Sequence, residues 1–131
     1  MGDLSPLTER PGAVAGAVVA GSGDSSVDAA VAAHYGDPMR EQRQLAAGEA
    51  LVDLSHRDVV TVTGPDRLTW VNSLTTQKID ALAPGQSAED IVLSPKGHVE
   101  HVLHLVDDGT TLWITTEPGR GPELTRWLDM M

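Results

Sequence analysis

Three histidines and a glutamate crowd the stretch "SPKGHVEHVLHL" at 94–105: His98, Glu100, His101 and His104. Such a group could grip a metal, relay protons or line a ligand pocket. The spacing counts against a metal: it is neither His-Glu-x-x-His nor a closed zinc pattern, and the chain has no cysteine. The residues between the histidines favour a strand, where side chains alternate between faces. Val99, His101, Leu103 and Leu105 then share an odd-numbered face. His98, Glu100, Val102, His104 and Val106 share the even one. The histidines therefore separate, and His101 stands as the polar member of an apolar face. A buried imidazole needs a partner for its ring nitrogens. Two readings stay open: a core histidine bonded to backbone or Glu89, or a histidine turned toward a ligand.

The turn before this strand sets its partner. Ser94-Pro95-Lys96-Gly97 carries proline second and glycine fourth, which is type I chemistry. A three-residue loop with Gly97 left-handed joins Ser94 to His98. That register sets Leu93 opposite Val99, Ile91 opposite His101 and Glu89 opposite Leu103, with Glu89 diagonal to His101.

Other elements must hold this hairpin. "DVVTVTG" (58–64) is β-branched and strand-like. In "GPDRLTWVNSLTTQ", Pro65 and Asp66 suit a first helical turn, and Leu68, Trp70, Val71 and Leu74 give an apolar face. "SAEDIVL" (87–93), "HVEHVLHLV" (98–106) and "TLWITT" (111–116) predict three strands, the last two joined at "DDG". "GPELTRWLDMM" opens a final helix whose apolar face is Leu124, Trp127 and Leu128. The expectation is an α+β fold, β-α-β-β-β-α, with an antiparallel sheet and flanking helices. The chain stops inside that amphipathic helix, which suggests a fragment of a longer protein.

Three regions are expected: a flexible Gly/Ala/Ser/Pro-rich arm over 1–26, a helical extension over 27–50, and a compact part over 51–131. The arm carries one strand-like segment near 13–20. In the extension, "VDAAVAAHYG" predicts a short helix stopped by Gly36. "DPMREQRQLAAGE" predicts a second, with Asp37 as N-cap and Pro38 at the first position.

A formal net charge of −10 argues against nucleic acid and anionic membranes as partners. The run "AVAGAVVAG" (13–21) is too short to span a bilayer, and the acids before it do not suit a secretion signal. A cytoplasmic protein is the expectation. No glycine-rich phosphate loop occurs, and "GRG" at 119–121 lacks the fingerprint spacing.

"LVDLSHRDVVTVTGPDRLTWVNSLTTQKIDALAPGQ", followed by "LSPKGHVEHVLHLV", resembles the N-terminal part of the YgfZ-type folate-binding proteins. These are relatives of the glycine cleavage aminomethyltransferase, or T-protein. "VAAHYGDPMREQRQLAAGEALVDLSHR" resembles the extension of actinobacterial-type members, so the likeness runs from about Val27 to Met131. It implies the incomplete first part of an aminomethyltransferase folate-binding fold, tetrahydrofolate as ligand, and a role in making or repairing iron–sulfur proteins, which would be its client partners. The family's Lys-Gly-Cys signature lies downstream and is absent here.

Position by position, the T-protein Asp-Asp pair falls on His101 and Val102. That counts against aminomethyl transfer and toward a protein that is not an enzyme. A folate-contacting tryptophan of YgfZ-type proteins falls on Arg57, which could still stack on folate or pair with its glutamate tail. A T-protein tyrosine falls on Glu89 and an asparagine on Thr116. The resemblance thus implies folate against the odd face, at His101, Leu103, Glu89 and Thr116, bordered by Arg57, with no metal. Two alternatives are an active aminomethyltransferase and a protein-binding module that uses a free sheet edge.

Overall fold

The computed structural model describes residues 4–15 and 28–131; the side chain of Ala15 is outside the description. The chain divides into two units, Met1–His56 and Arg57–Met131.

In the first unit, Ser5 caps a 3-10 turn over Pro6–Glu9. Its hydroxyl donates to Asp53 Oδ2 at 2.5 Å. Strand β1 (Val14–Ala15) pairs antiparallel with β2 (Ala32–His34). Helix α1 (Pro38–Ala46) starts as its sequence dictates: Asp37 caps it by accepting from Arg40 N, and Pro38 occupies the first turn. The Glu41 carboxylate accepts from the amides of Tyr35 and Asp37 and so ties the helix to the chain before it.

The helix expected over 27–36 is not formed. Residues 28–30 turn and 32–34 pair with β1. Cross-strand bonding overrides the helical preference of four alanines, Ala29, Ala30, Ala32 and Ala33, since propensity yields to tertiary context. Much of the expected arm, including 16–20 of its strand-like segment, lies outside the described residues. The described part of that arm, 4–15, holds the 3-10 turn and β1.

The second unit runs β3 (Asp58–Thr63), α2 (Arg67–Leu74), β4 (Ser87–Leu93), β5 (Val99–Asp107), β6 (Thr111–Thr116) and α3 (Gly121–Met130). The strands form one antiparallel sheet in the order β3-β6-β5-β4. Burial alternates along β3, β5 and β6 as a one-sided sheet requires. The inner face packs Val92, Leu103, Leu105, Leu112 and Ile114 against Val71 of α2 and Leu124 and Leu128 of α3. With no phenylalanine in the chain, aliphatic side chains fill this core. Arg67 of α2 reaches the buried Asp107 in a two-pronged pair, Nε to Oδ1 at 2.6 Å and Nη2 to Oδ2 at 2.8 Å. Among the described residues no helix is long and apolar enough to cross a membrane.

The β4–β5 hairpin follows the expected turn but not the whole expected register. Gly97 has φ +81°, Gly97 N donates to Ser94 O, Ser94 N donates to His98 O, and Leu93 faces Val99. A β-bulge then intervenes between Val92 and Leu93, with Glu100 as the extra residue on β5. Beyond it His101 faces Val92, Leu103 faces Asp90, and Glu89 faces His104. Ile91 is not opposite His101, and Glu89 is not diagonal to it. Both lie on the other face.

A candidate site at the end of the sheet beneath helix α3

Four inward side chains make a row across one end of the sheet. Asp58 of β3 faces Thr116 of β6, and on the far side Leu103 of β5 faces Asp90 of β4. His101 follows one inward position further along β5, beside Val92. A polar row inside an aliphatic core requires partners. Asp58 Oδ2 accepts from Gly121 N at 2.7 Å, so it satisfies the first amide of α3. Thr116 Oγ1 donates to Val102 O at 3.1 Å.

Asp90, 3% exposed, gathers the loop that leaves α2. Its Oδ1 accepts from Thr76 N, Gln77 N and Ile91 N at 2.8–3.0 Å. Asn72 Oδ1 holds the next turn of that loop through Ile79 N.

On the inner face at this end, two buried side-chain atoms have no hydrogen-bond partner among the described residues: Asp90 Oδ2 and His101 Nδ1. His101 is 4% exposed. Burial pushes its pKa down, the Arg120 cation pushes further, and Glu123 and Glu100 oppose. A neutral imidazole that offers one ring nitrogen can donate or accept, and a carboxylate oxygen beside it accepts.

The first turn of α3 roofs this end. Gly121 binds Asp58 on one side, and Arg120 Nη2 donates to Glu100 O at 2.8 Å on the other. Arg120 also pairs with Glu123 at 2.8 Å. Arg57 lies just before β3 at the same end. With Asp58, Val60, Gly121 and Thr125 it lines an open hollow of about 460 Å³, and its Nε is buried without a partner.

Of the residues singled out in the sequence, His101, Leu103 and Thr116 share the inner face, and Arg57 flanks the same end. The odd face of β5 is not open to a ligand along its length, because Leu103 and Leu105 are core. Glu89 is on the opposite face. Its side chain is 81% exposed and lies 3.4 Å from His104 Nδ1. His98 is exposed at the loop end of the hairpin. From the sequence Asp90, like Asp53 and Glu89, reads as one of many solvated carboxylates; the structure buries it. A carboxylate inside "SAEDIVL" gives no sign of its face until the bulge is known.

No family model matches the chain. In sequence, the chain is similar to an aminomethyltransferase. The relative, from Pseudomonas syringae pv. tomato, is 27% identical over 89 residues, which is 66% of this chain and 25% of that protein. In structure, the glycine cleavage system aminomethyltransferase T from Bartonella henselae matches with a TM-score of 0.55 at 19% identity, over 60% of this chain and 22% of that one. The second likeness is one of fold. The chain thus spans about a quarter of the length of the curated relative it matches.

Proposed function

We propose that this chain belongs to a YgfZ-type protein that binds tetrahydrofolate at the α3 end of the sheet and does not carry out aminomethyl transfer. The observation that carries this reading is the pair of unpartnered buried atoms, His101 Nδ1 and Asp90 Oδ2, in a fold like that of an aminomethyltransferase. A pterin edge offers donors and acceptors that would satisfy both. His101 and Asp90 make the polar contacts, Leu103 and Thr116 form the floor beneath them, and Arg57 borders the site for the glutamate tail. Glu89 takes no part, because it faces the other way. The ligand reaches His101 past the first turn of α3, so Arg120 and Glu123 edge its path. A role toward iron–sulfur clients belongs to the same proposal.

Tryptophan emission during titration with tetrahydrofolate tests it. The full-length gene product should bind, and His101→Ala should weaken binding about tenfold, the equivalent of one buried hydrogen bond. Equal affinity of the two proteins removes His101 from the site.

One observation favours a second reading, an active aminomethyltransferase. The structure places a carboxylate, Asp90, on the face of His101, where the family position itself lacks one. A coupled glycine-cleavage assay decides. Turnover that Asp90→Asn abolishes supports the enzyme; binding without turnover supports the folate binder.

A further inference from the structure

Helix α3 begins against the preferences of helix starts. Its N-cap position, where Ser, Thr, Asp or Asn is favoured, holds Arg120. A cation there also meets the positive end of the helix dipole. Capping comes instead from β3, where Asp58 Oδ2 accepts from Gly121 N at 2.7 Å. The planar fork of Arg120 then reaches in two directions. Nη1 meets Glu123 Oε2 at 2.8 Å, three residues along α3, and Nη2 donates to Glu100 O at 2.8 Å. The Arg120 and Glu123 side chains are 43% and 52% exposed, so as an ion pair they contribute little stability. A departure from local rules with no such gain is expected at functional sites.

What Arg120 grips is the extra residue of the β5 bulge. The turn at 94–98 fixes Leu93 opposite Val99. Continued without a bulge, that register would set Val92 opposite Glu100 and Ile91 opposite His101. His101 would then pair with a residue of the outer face. The bulge takes up Glu100 and brings His101 opposite the wholly buried Val92. The extra residue of a bulge drops out of the ladder, so its carbonyl calls for a donor from another element. Arg120 supplies that donor.

We propose that Arg120 is a positioning residue of the candidate site: by holding Glu100 O it fixes the bulge and so keeps His101 on the inner face. The inference rests on the reading of His101 as a ligand contact. The same cation has a second effect. Burial lowers the His101 pKa first and Arg120 next, against the pull of Glu123 and Glu100. The acids of the neighbouring strands at this end are Asp90 on β4 and Asp58 on β3, and Asp58 is engaged with Gly121. Held in this way, the imidazole meets a ligand in its neutral form.

Titration of the His101 ring by NMR, in the full-length protein without ligand, tests the positioning. Arg120→Met should raise the midpoint and lose the cross-strand contact between Val92 and His101. Glu123→Gln keeps an acceptor for the fork but removes the opposing charge, so it should lower the midpoint. A merely structural role does not give opposite signs, because loosening α3 moves the ring toward its ordinary value in both variants. A rise in both overturns the proposal. So does an unchanged midpoint in Arg120→Met with the Val92–His101 contact intact. With tetrahydrofolate, Arg120→Met should weaken binding about tenfold, as His101→Ala should. The double variant should bind no more weakly than His101→Ala alone, because Arg120 acts through His101. Additive losses would make Arg120 a direct ligand contact and overturn the positioning role. If the wild type binds no folate, the folate reading falls, while the ring titration still decides the role of Arg120.

Discussion

His101 is the residue on which chemistry and stability meet. Its pKa is lowered in the folded state, so the unfolded chain binds that proton more readily. The contribution of neutral His101 is complete above the ordinary value of 6.5 and is lost as pH falls below it, until the lower folded-state value is passed. Denaturant midpoints taken from about pH 8 down to about pH 5, the range in which histidine titrates, should therefore fall for the wild type. His101→Gln should flatten that part of the curve; an unchanged slope would place its origin in other groups. At this scale the sequence was partly readable. Proline and glycine at fixed turn positions predicted the Gly97 loop, and alternation predicted that His101 points inward. The bulge at Glu100 was not readable, because an extra residue in a strand carries no side-chain signature. That single unit of slip moved the facing carboxylate from Glu89 to Asp90.

Helix α3 is the element that closes the candidate site, and its two attachments differ in kind. Leu124 is wholly buried in the aliphatic core. Leu124→Ala should cost about 2–5 kcal/mol in chemical denaturation, from lost transfer energy and the cavity left behind. Val59→Ala, on the outer face and 57% exposed, should change stability by no more than about 0.5 kcal/mol. The other attachment is a close approach. A Cβ added at Gly121 would lie 2.9 Å from Asp58 Cβ and Oδ2. Gly121→Ala should push α3 away from β3 and destabilise by about 1–3 kcal/mol, seen in the same unfolding measurement. This glycine lies in the "GRG" that sequence reading discounted as a phosphate loop. Its purpose is close packing, which a motif search does not look for. The spans of β4 and β6 match the expected 87–93 and 111–116, because turn residues bound them on both sides. Over 28–36 alanine's strong helix propensity is outweighed by pairing with β1, because intrinsic propensity yields to tertiary context.

Across the whole molecule, the hydrophobic core belongs to one unit. Every member of the main buried cluster lies within 57–131. Residues 57–131 produced alone should therefore give a strand-rich circular dichroism spectrum and a single cooperative unfolding transition; a disordered spectrum would show that residues 1–56 are required. The polar cluster of Asp58, Thr116, Asp90 and His101 was not visible, because its members come from four strands brought side by side by the sheet order. Amide chemical shifts followed during addition of tetrahydrofolate test whether folate binds at the α3 end, as proposed. Shifts should concentrate at His101, Asp90, Thr116 and the first turn of α3. Shifts confined to the outer face around Trp113 and Val106, or none at saturating ligand, would contradict it.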